Sequence, residues 1–171
     1  MKTIKTFTLF AALLCATTIW AQSPTVVTTD SELRAAIQNN VANITVTADI
    51  DLNNSTLSIA SGTTVTIDLN GHTLDRRLNS RGEGGGQVFT VRSGATLYLS
   101  NGTLKGGWGG NSGGIANEGG TANLTDVIIT GCKGDDRGGG ISNLSGGTLT
   151  MTGGRITNNT CFDHGDPAGG G

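Results

Sequence analysis

Asp135 and Asp136 stand side by side, and Asp163, His164 and Asp166 follow in one short stretch further on, each group set among glycines. Carboxylates grouped in this way suit two kinds of chemistry. With a nearby imidazole they can act as general acid and base on a glycosidic bond. As hard oxygen donors they can hold Ca²⁺. Asp135, Asp136 and His164 are therefore the catalytic candidates, and Asp135, Asp136, Asp163 and Asp166 the candidate Ca²⁺ ligands. Four acids in glycine-rich loops are also what a solvated surface looks like. Trp108, alone in "GGWGGNSGG", offers a face that could stack on a sugar ring or pack against the body of the protein. A third chemistry is raised by "GGGISNLSGGTLTMTGGRITNNT", residues 138–160, which begins like a phosphate-binding glycine loop. Such a loop must open a helix whose N-terminus receives the phosphate, and no helical period follows residue 138.

The glycines have another use, visible once the chain is compared with itself. Gly113-Gly114-Ile115-Ala116-Asn117 recurs as Gly139-Gly140-Ile141-Ser142-Asn143, and each copy is followed by Gly-Gly-Thr. Next comes a pair of large apolar residues: Leu124 with Ile129, then Met151 with Ile156. Leu99 with Leu104 and Leu69 with Leu74 fit the same frame, and the first members are 30, 25 and 27 residues apart. Each unit holds short alternating runs ("TVTIDL", "ATLYLS", "ANLTDVIIT", "TLTMT") rich in Thr, Val and Ile, the pattern of strands with one buried face. Gly and Asn between them accept the left-handed backbone of tight turns. A repeat of this length, made only of strands and turns, predicts one coil of a right-handed parallel β-helix, an all-β solenoid. Coils about 4.8 Å apart would stack Asn117 on Asn143 as an amide ladder and Ile115 on Ile141 inside. They would also align Asp75-Arg76-Arg77, Lys105, Trp108, Lys133, Asp135-Asp136-Arg137 and Asp163, His164 and Asp166 along one edge.

A solenoid exposes apolar cross-sections at its ends and needs caps. "TDSE", Thr29 to Glu32, reads as a capping box, and Leu33, Ala36 and Ile37 share one face of the short helix that follows, ended near Asn39-Asn40. That face would cover the first coil, begun by "NITVTADIDL". At the other end, Gly169-Gly170-Gly171 looks like the opening of a further coil, so the chain is expected to be the N-terminal part of a longer protein. Lys2 and Lys5, the apolar run Phe7 to Ala16 and the small residues up to Ala21 form a secretory signal, cut after Ala21. Its apolar run is too short to span a bilayer, and Leu14 before Cys15 is too bulky for lipoprotein processing. The expected divisions are thus a signal peptide at 1–21, a linker and capping helix at 22–41, and coils at 42–171. Net charge is −2 with 4% aromatics, which argues against nucleic acid, and no transmembrane helix is expected in the mature chain. Export permits a Cys132–Cys161 disulfide, but the two cysteines fall two positions out of register on adjacent coils, and the pairing stays open.

"GGGISN" and "ITNN" resemble the paired repeat motifs of the chlamydial polymorphic outer membrane proteins, with Ile156 in place of Phe and Cys132 in place of Asn. "SELRAAI…NITVTADIDL" and "GTTVTIDLNGHTL" are similar to the opening of secreted bacterial β-helix proteins of the pectate-lyase-like superfamily. The resemblance covers about residues 29–160 and implies the fold; that fold carries lyases, hydrolases, adhesins and passenger domains alike. The secretory signal, the repeats, the few aromatics and the lack of an assembled catalytic set favour an exported adhesin-like scaffold at the cell surface or outer membrane, attached through a missing C-terminal region, with host or matrix glycans or surface proteins as partners. The alternative the resemblance implies is a polysaccharide lyase or polygalacturonase-like hydrolase acting on acidic polysaccharide. "GDD" at Asp135-Asp136 and "DHG" at Asp163-His164 are faintly similar to the hydrolase elements, while the upstream Asn-Thr-Asp and later Arg-x-Lys elements are absent.

Overall fold

The structure, a computed structural model, describes residues 23–53, 55–78, 86–144 and 146–162. The expected signal segment with Cys15, the acidic group Asp163, His164 and Asp166, and Gly169–Gly171 lie outside the described residues.

Among the described residues, sixteen short strands and one helix make about four turns of a parallel β-solenoid. The chain opens with β1 (Thr25–Val27), then α1 (Asp30–Gln38). The coils follow in register. The first holds β2 (Asn43–Val46), β3 (Ile50–Asp51) and β4 (Leu57–Ile59); the second β5 (Thr64–Asp68), β6 (Thr73–Asp75) and β7 (Phe89–Arg92). Next come β8 (Thr96–Lys105), β9 (Trp108–Gly109) and β10 (Ile115–Glu118), then β11 (Thr121–Thr130), β12 (Lys133–Gly134) and β13 (Ile141–Leu144). The last described turn holds β14 (Thr148–Thr152), β15 (Arg155–Thr157) and β16 (Thr160–Cys161). Every strand-to-strand ladder is parallel and joins neighbouring coils, giving a nine-stranded, a four-stranded and a three-stranded sheet.

Alternation decides what is inside. In β5, Val65 and Ile67 are buried while Thr64 faces solvent, and β8 and β11 repeat the pattern. Inward apolar residues of successive coils lie on one another: Ile67, Leu99, Leu124 and Met151 form one column, and Leu74, Leu104, Ile129 and Ile156 the next. The register corrects one member of the repeat frame, because Leu99 pairs with Ile67 and not with Leu69. The second coil carries two more residues at this corner, since Leu69 to His72 fill the interval that Asn101-Gly102 fill in the third. Leu69 is fully buried there, and a Cβ on Gly102 would collide with it. Asn101 and Asp126 take the left-handed turn at this bend (φ 56° and 52°), which lets β8 and β11 continue around it as ten-residue strands.

The Asn ladder forms as the repeat requires. Asn117 lies on Asn143 and is fully buried; its Nδ2 donates to Asn143 Oδ1 at 2.6 Å, and its Oδ1 accepts the Gly120 N–H at 3.0 Å. Ile115 is buried and pairs with the half-buried Ile141. Asn159 plays the same part at another corner, donating to Ile129 C=O and accepting from Cys132 N–H.

The capping box is closed: Glu32 N–H donates to Thr29 Oγ1 at 3.3 Å, and the Glu32 carboxylate accepts the Thr29 N–H at 3.2 Å. Leu33, Ala36 and Ile37 are buried against the first coil. One element was not read from the sequence. β1 pairs in parallel with β2 ahead of the helix, with Val27 beside Val46, so the cap is a strand–helix unit and not a linker with a helix.

Candidate functional site

The bend that ends the long strands brings the charged series together. Asp51, Asp75 and Lys105 occupy one outward column on β3, β6 and β8. Lys105 Nζ lies 3.1 Å from Asp75 Oδ2, and Arg77 Nε lies 2.7 Å from Asp51 Oδ1. The Arg77 N–H also donates to Asp75 Oδ1 at 2.9 Å. Arg77 has a left-handed backbone (φ 51°), and Gly106 takes that conformation (φ 70°) on the next coil. Gly106 is required twice over, because a Cβ there would run into the Asp75 carboxylate and the Arg77 backbone. Around these groups lies an open groove of about 510 Å³ lined by Asp75, Arg77, Leu78, Lys105, Thr130 and Lys133. A smaller hollow of about 130 Å³ adjoins it, where Asp49 and Asp51 face Thr73 and Arg77. There the Thr73 N–H, followed by His72, holds the Asp49 carboxyl below its ordinary pKa.

Beyond the turn, β9, β12 and β16 carry the aromatic part of the edge. Lys133 is in register with Trp108, and its ammonium sits 4.3 Å from the ring centroid. Phe162 stacks on the same indole with centroids 5.6 Å apart. Trp108 Nε1–H donates to Asp135 Oδ1 at 2.8 Å. Trp108 is thus tied into the solenoid wall by three neighbours. Asp135 and Asp136 each donate their backbone N–H to the preceding coil, at Gly109 and Gly110. Their expected companions Asp163, His164 and Asp166 lie outside the described residues, so the carboxylate–imidazole and Ca²⁺ groupings are represented here by Asp135 and Asp136 alone. Among the described residues, no three His, Cys, Asp or Glu side chains are grouped to hold a metal ion.

One member of the series is placed differently from expectation. Arg76 is 3% exposed, not on the loop edge: it turns inward, and its guanidinium donates to Leu52 C=O at 3.2 Å. Its burial, with the like charge of Arg34, lowers its pKa. Cys132 is fully buried, and burial pushes its thiol up to about 11, so it is protonated at neutral pH and is no nucleophile. Cys161 pairs in register with Gly134, two positions beyond Cys132, and both cysteines are free thiols.

Sequence reasoning found Asp75, Arg77, Lys105 and Lys133 as one edge and missed Asp49, Asp51 and His72. The signal was present. Ile50-Asp51 repeats Leu74-Asp75 one coil earlier, so extending the apolar frame backwards by one step would have found it. Chemically, the groove sets three cations against the single carboxylate of Asp75 in its lining, with Asp51 facing Arg77. That arrangement suits contact with polar or anionic groups of a large ligand laid along the solenoid.

A family model described as a pectate lyase-like adhesive domain matches residues 25–154. No curated protein and no solved structure matches the chain.

Proposed function

The chain belongs to the pectate lyase-like adhesive domain family, and we propose that it serves as an exported scaffold, displayed at the cell surface, that holds glycans or proteins of a host or matrix. The observation that carries this reading is the pairing of that family with a wall of in-register coils, whose charged side chains line one groove instead of converging on a single reacting atom. Parallel coils resist unfolding from the middle, because the long strands there, β8 and β11, are paired on both sides. Side chains repeated at coil spacing can meet an extended partner at several points, and several weak contacts add to firm attachment. An adhesin needs no more than that.

The test is retention of the full chain on surfaces coated with matrix glycans or matrix proteins. Wild type should be retained, the Lys105→Ala/Lys133→Ala variant should be retained less, and added salt should weaken the groove's share. Absence of retention on every surface would remove the adhesive reading.

The enzymatic alternative rests on the same groove, where in-register Asp51 and Asp75 stand beside Arg77 and Lys105. It requires turnover. Incubation with polygalacturonate, followed for unsaturated products and for new reducing ends, separates lyase from hydrolase, and neither signal is expected.

A further inference from the structure

Around the bend from the groove, the nine-stranded sheet shows solvent a different surface. The outward residues of β8 ahead of its bend are Thr96, Tyr98 and Ser100. Register sets Thr66 on one side of Tyr98 and Asn123 on the other, with Thr150 beyond Asn123. None of these six is an acid or a base of the Asp, Glu, Lys or Arg kind; the carboxylate of Asp68, in register with Ser100, stands at their edge. Tyr98 is 46% exposed, and among the described residues its ring has no aromatic or cationic partner, unlike that of Trp108.

We propose that this face binds an uncharged glycan, with a pyranose ring stacked on Tyr98 and its hydroxyls bonded by the neighbouring Thr, Ser and Asn side chains. The apolar C–H face of a sugar matches an aromatic ring, and the rim of its hydroxyls matches short polar side chains beside that ring. The platform is rigid before binding. Its strands are held about 4.8 Å apart by backbone bonds, and β-branched Thr has few rotamers to lose. The lack of a cation among these residues selects the ligand class, because a uronate or sulfate here would give up hydration and meet only the like charge of Asp68. The protruding phenol also breaks the flatness that a pure hydroxyl lattice would have, and favours a ligand with a ring to receive it. This inference rests on the adhesive reading and assigns it a second contact surface, distinct from the groove.

Affinity electrophoresis of the full chain tests it, with gels holding hydroxyethylcellulose or galactomannan as uncharged glycans and polygalacturonate as the charged counterpart. At least one uncharged glycan should retard the wild type. Tyr98→Ala should weaken that affinity about tenfold, and Tyr98→Phe by less than about threefold, as stacking predicts. The Lys105→Ala/Lys133→Ala variant should bind the uncharged glycan as wild type does. Because Tyr98 is exposed, an unchanged melting curve for Tyr98→Ala is the folding control. Equal retardation of wild type and Tyr98→Ala overturns the proposal, and so does a wild type retarded by neither uncharged glycan. If the chain still adheres to matrix-coated surfaces in that case, the assigned face is wrong and the adhesive reading stands. If the gels retard it and no surface retains it, the site stands and the adhesive reading falls.

Discussion

At the N-terminal end, α1 lays Leu33, Ala36 and Ile37 over the first coil, and all three are buried. At the last described turn, Leu149 and Met151 are half-buried and Ile156 is 49% exposed. Yet these three continue the columns of Leu97, Leu99 and Leu104, each of which is 0–1% exposed. The leucines of the inner columns have a described coil on each side, whereas among the described residues Leu149, Met151 and Ile156 have one on one side. Burial in this fold is therefore a property of the neighbouring coil. A column position contributes its full stabilisation where something lies on both sides of it.

Matched substitutions at the two ends should show the largest effect. Leu33→Asp with Ile37→Asp puts charge under the cap and should cost about 3 kcal/mol or more by chemical denaturation. Met151→Asp with Ile156→Asp, at half-buried and exposed positions of the same columns, should cost about 1 kcal/mol. Similar losses at the two ends would remove the contrast.

The Asn ladder repeats the comparison within one column. Asn117→Ala deletes a buried amide bonded to its own turn at Gly120 and to the following coil at Asn143, and leaves Gly120 N–H unsatisfied, a loss of about 2–3 kcal/mol. Asn143→Ala removes an exposed amide one coil later and should cost about 1 kcal/mol or less. If Asn143→Ala proves as damaging as Asn117→Ala, ladder position does not set the cost.

Thr29→Ala opens the capping box and should cost about 1 kcal/mol. Acid should act at the same point. Hydrogen bonds from Thr28, then Thr29, hold the Glu32 carboxyl below its ordinary pKa. A lowered folded-state pKa means that this contribution is present above the unfolded value and is lost as pH falls through the folded one. Glu32→Gln should therefore show a shallower decline of stability on acidification than wild type, and parallel declines would argue against the bond.

The smallest effect is chemical. Cys161, half-buried, should react with a thiol reagent in the folded chain, while Cys132 should react only on unfolding, as peptide mapping would show. Early labelling of Cys132 would mean that the last coils open readily.

Much of the fold was legible because a solenoid writes its three-dimensional neighbours into one repeat. Once Asn117 and Asn143 were aligned, the stacking of Ile115 on Ile141 and the shared edge of Lys105 and Lys133 followed. What failed did so where coils differ in length. Leu69 looked like the partner of Leu99, but a four-residue corner carries it off the column, and apolar spacing cannot distinguish a corner residue from a strand residue. Arg76 was misplaced for a related reason: sequence marks it as charged, and only the fold shows that Leu52 C=O awaits it inside. β1 is three residues long, too short to carry an alternation. The groove was half legible, since its later members stand in the clearest repeats and Asp49, Asp51 and His72 stand in the first, least regular ones.

The stacking itself can be tested with pairs of introduced cysteines on the outer face of β8 and β11. Thr96 and Thr121 are in register, as are Tyr98 and Asn123, whereas Thr96 and Asn123 are two residues apart. Mild oxidation of the folded chain should bridge Thr96→Cys to Thr121→Cys and Tyr98→Cys to Asn123→Cys, whose Cα separation of about 5 Å suits a disulfide. The offset pair Thr96→Cys with Asn123→Cys should stay reduced. Ready bridging of the offset pair, with the in-register pairs left unbridged, would contradict the parallel stacking on which the groove and the Tyr98 face both depend.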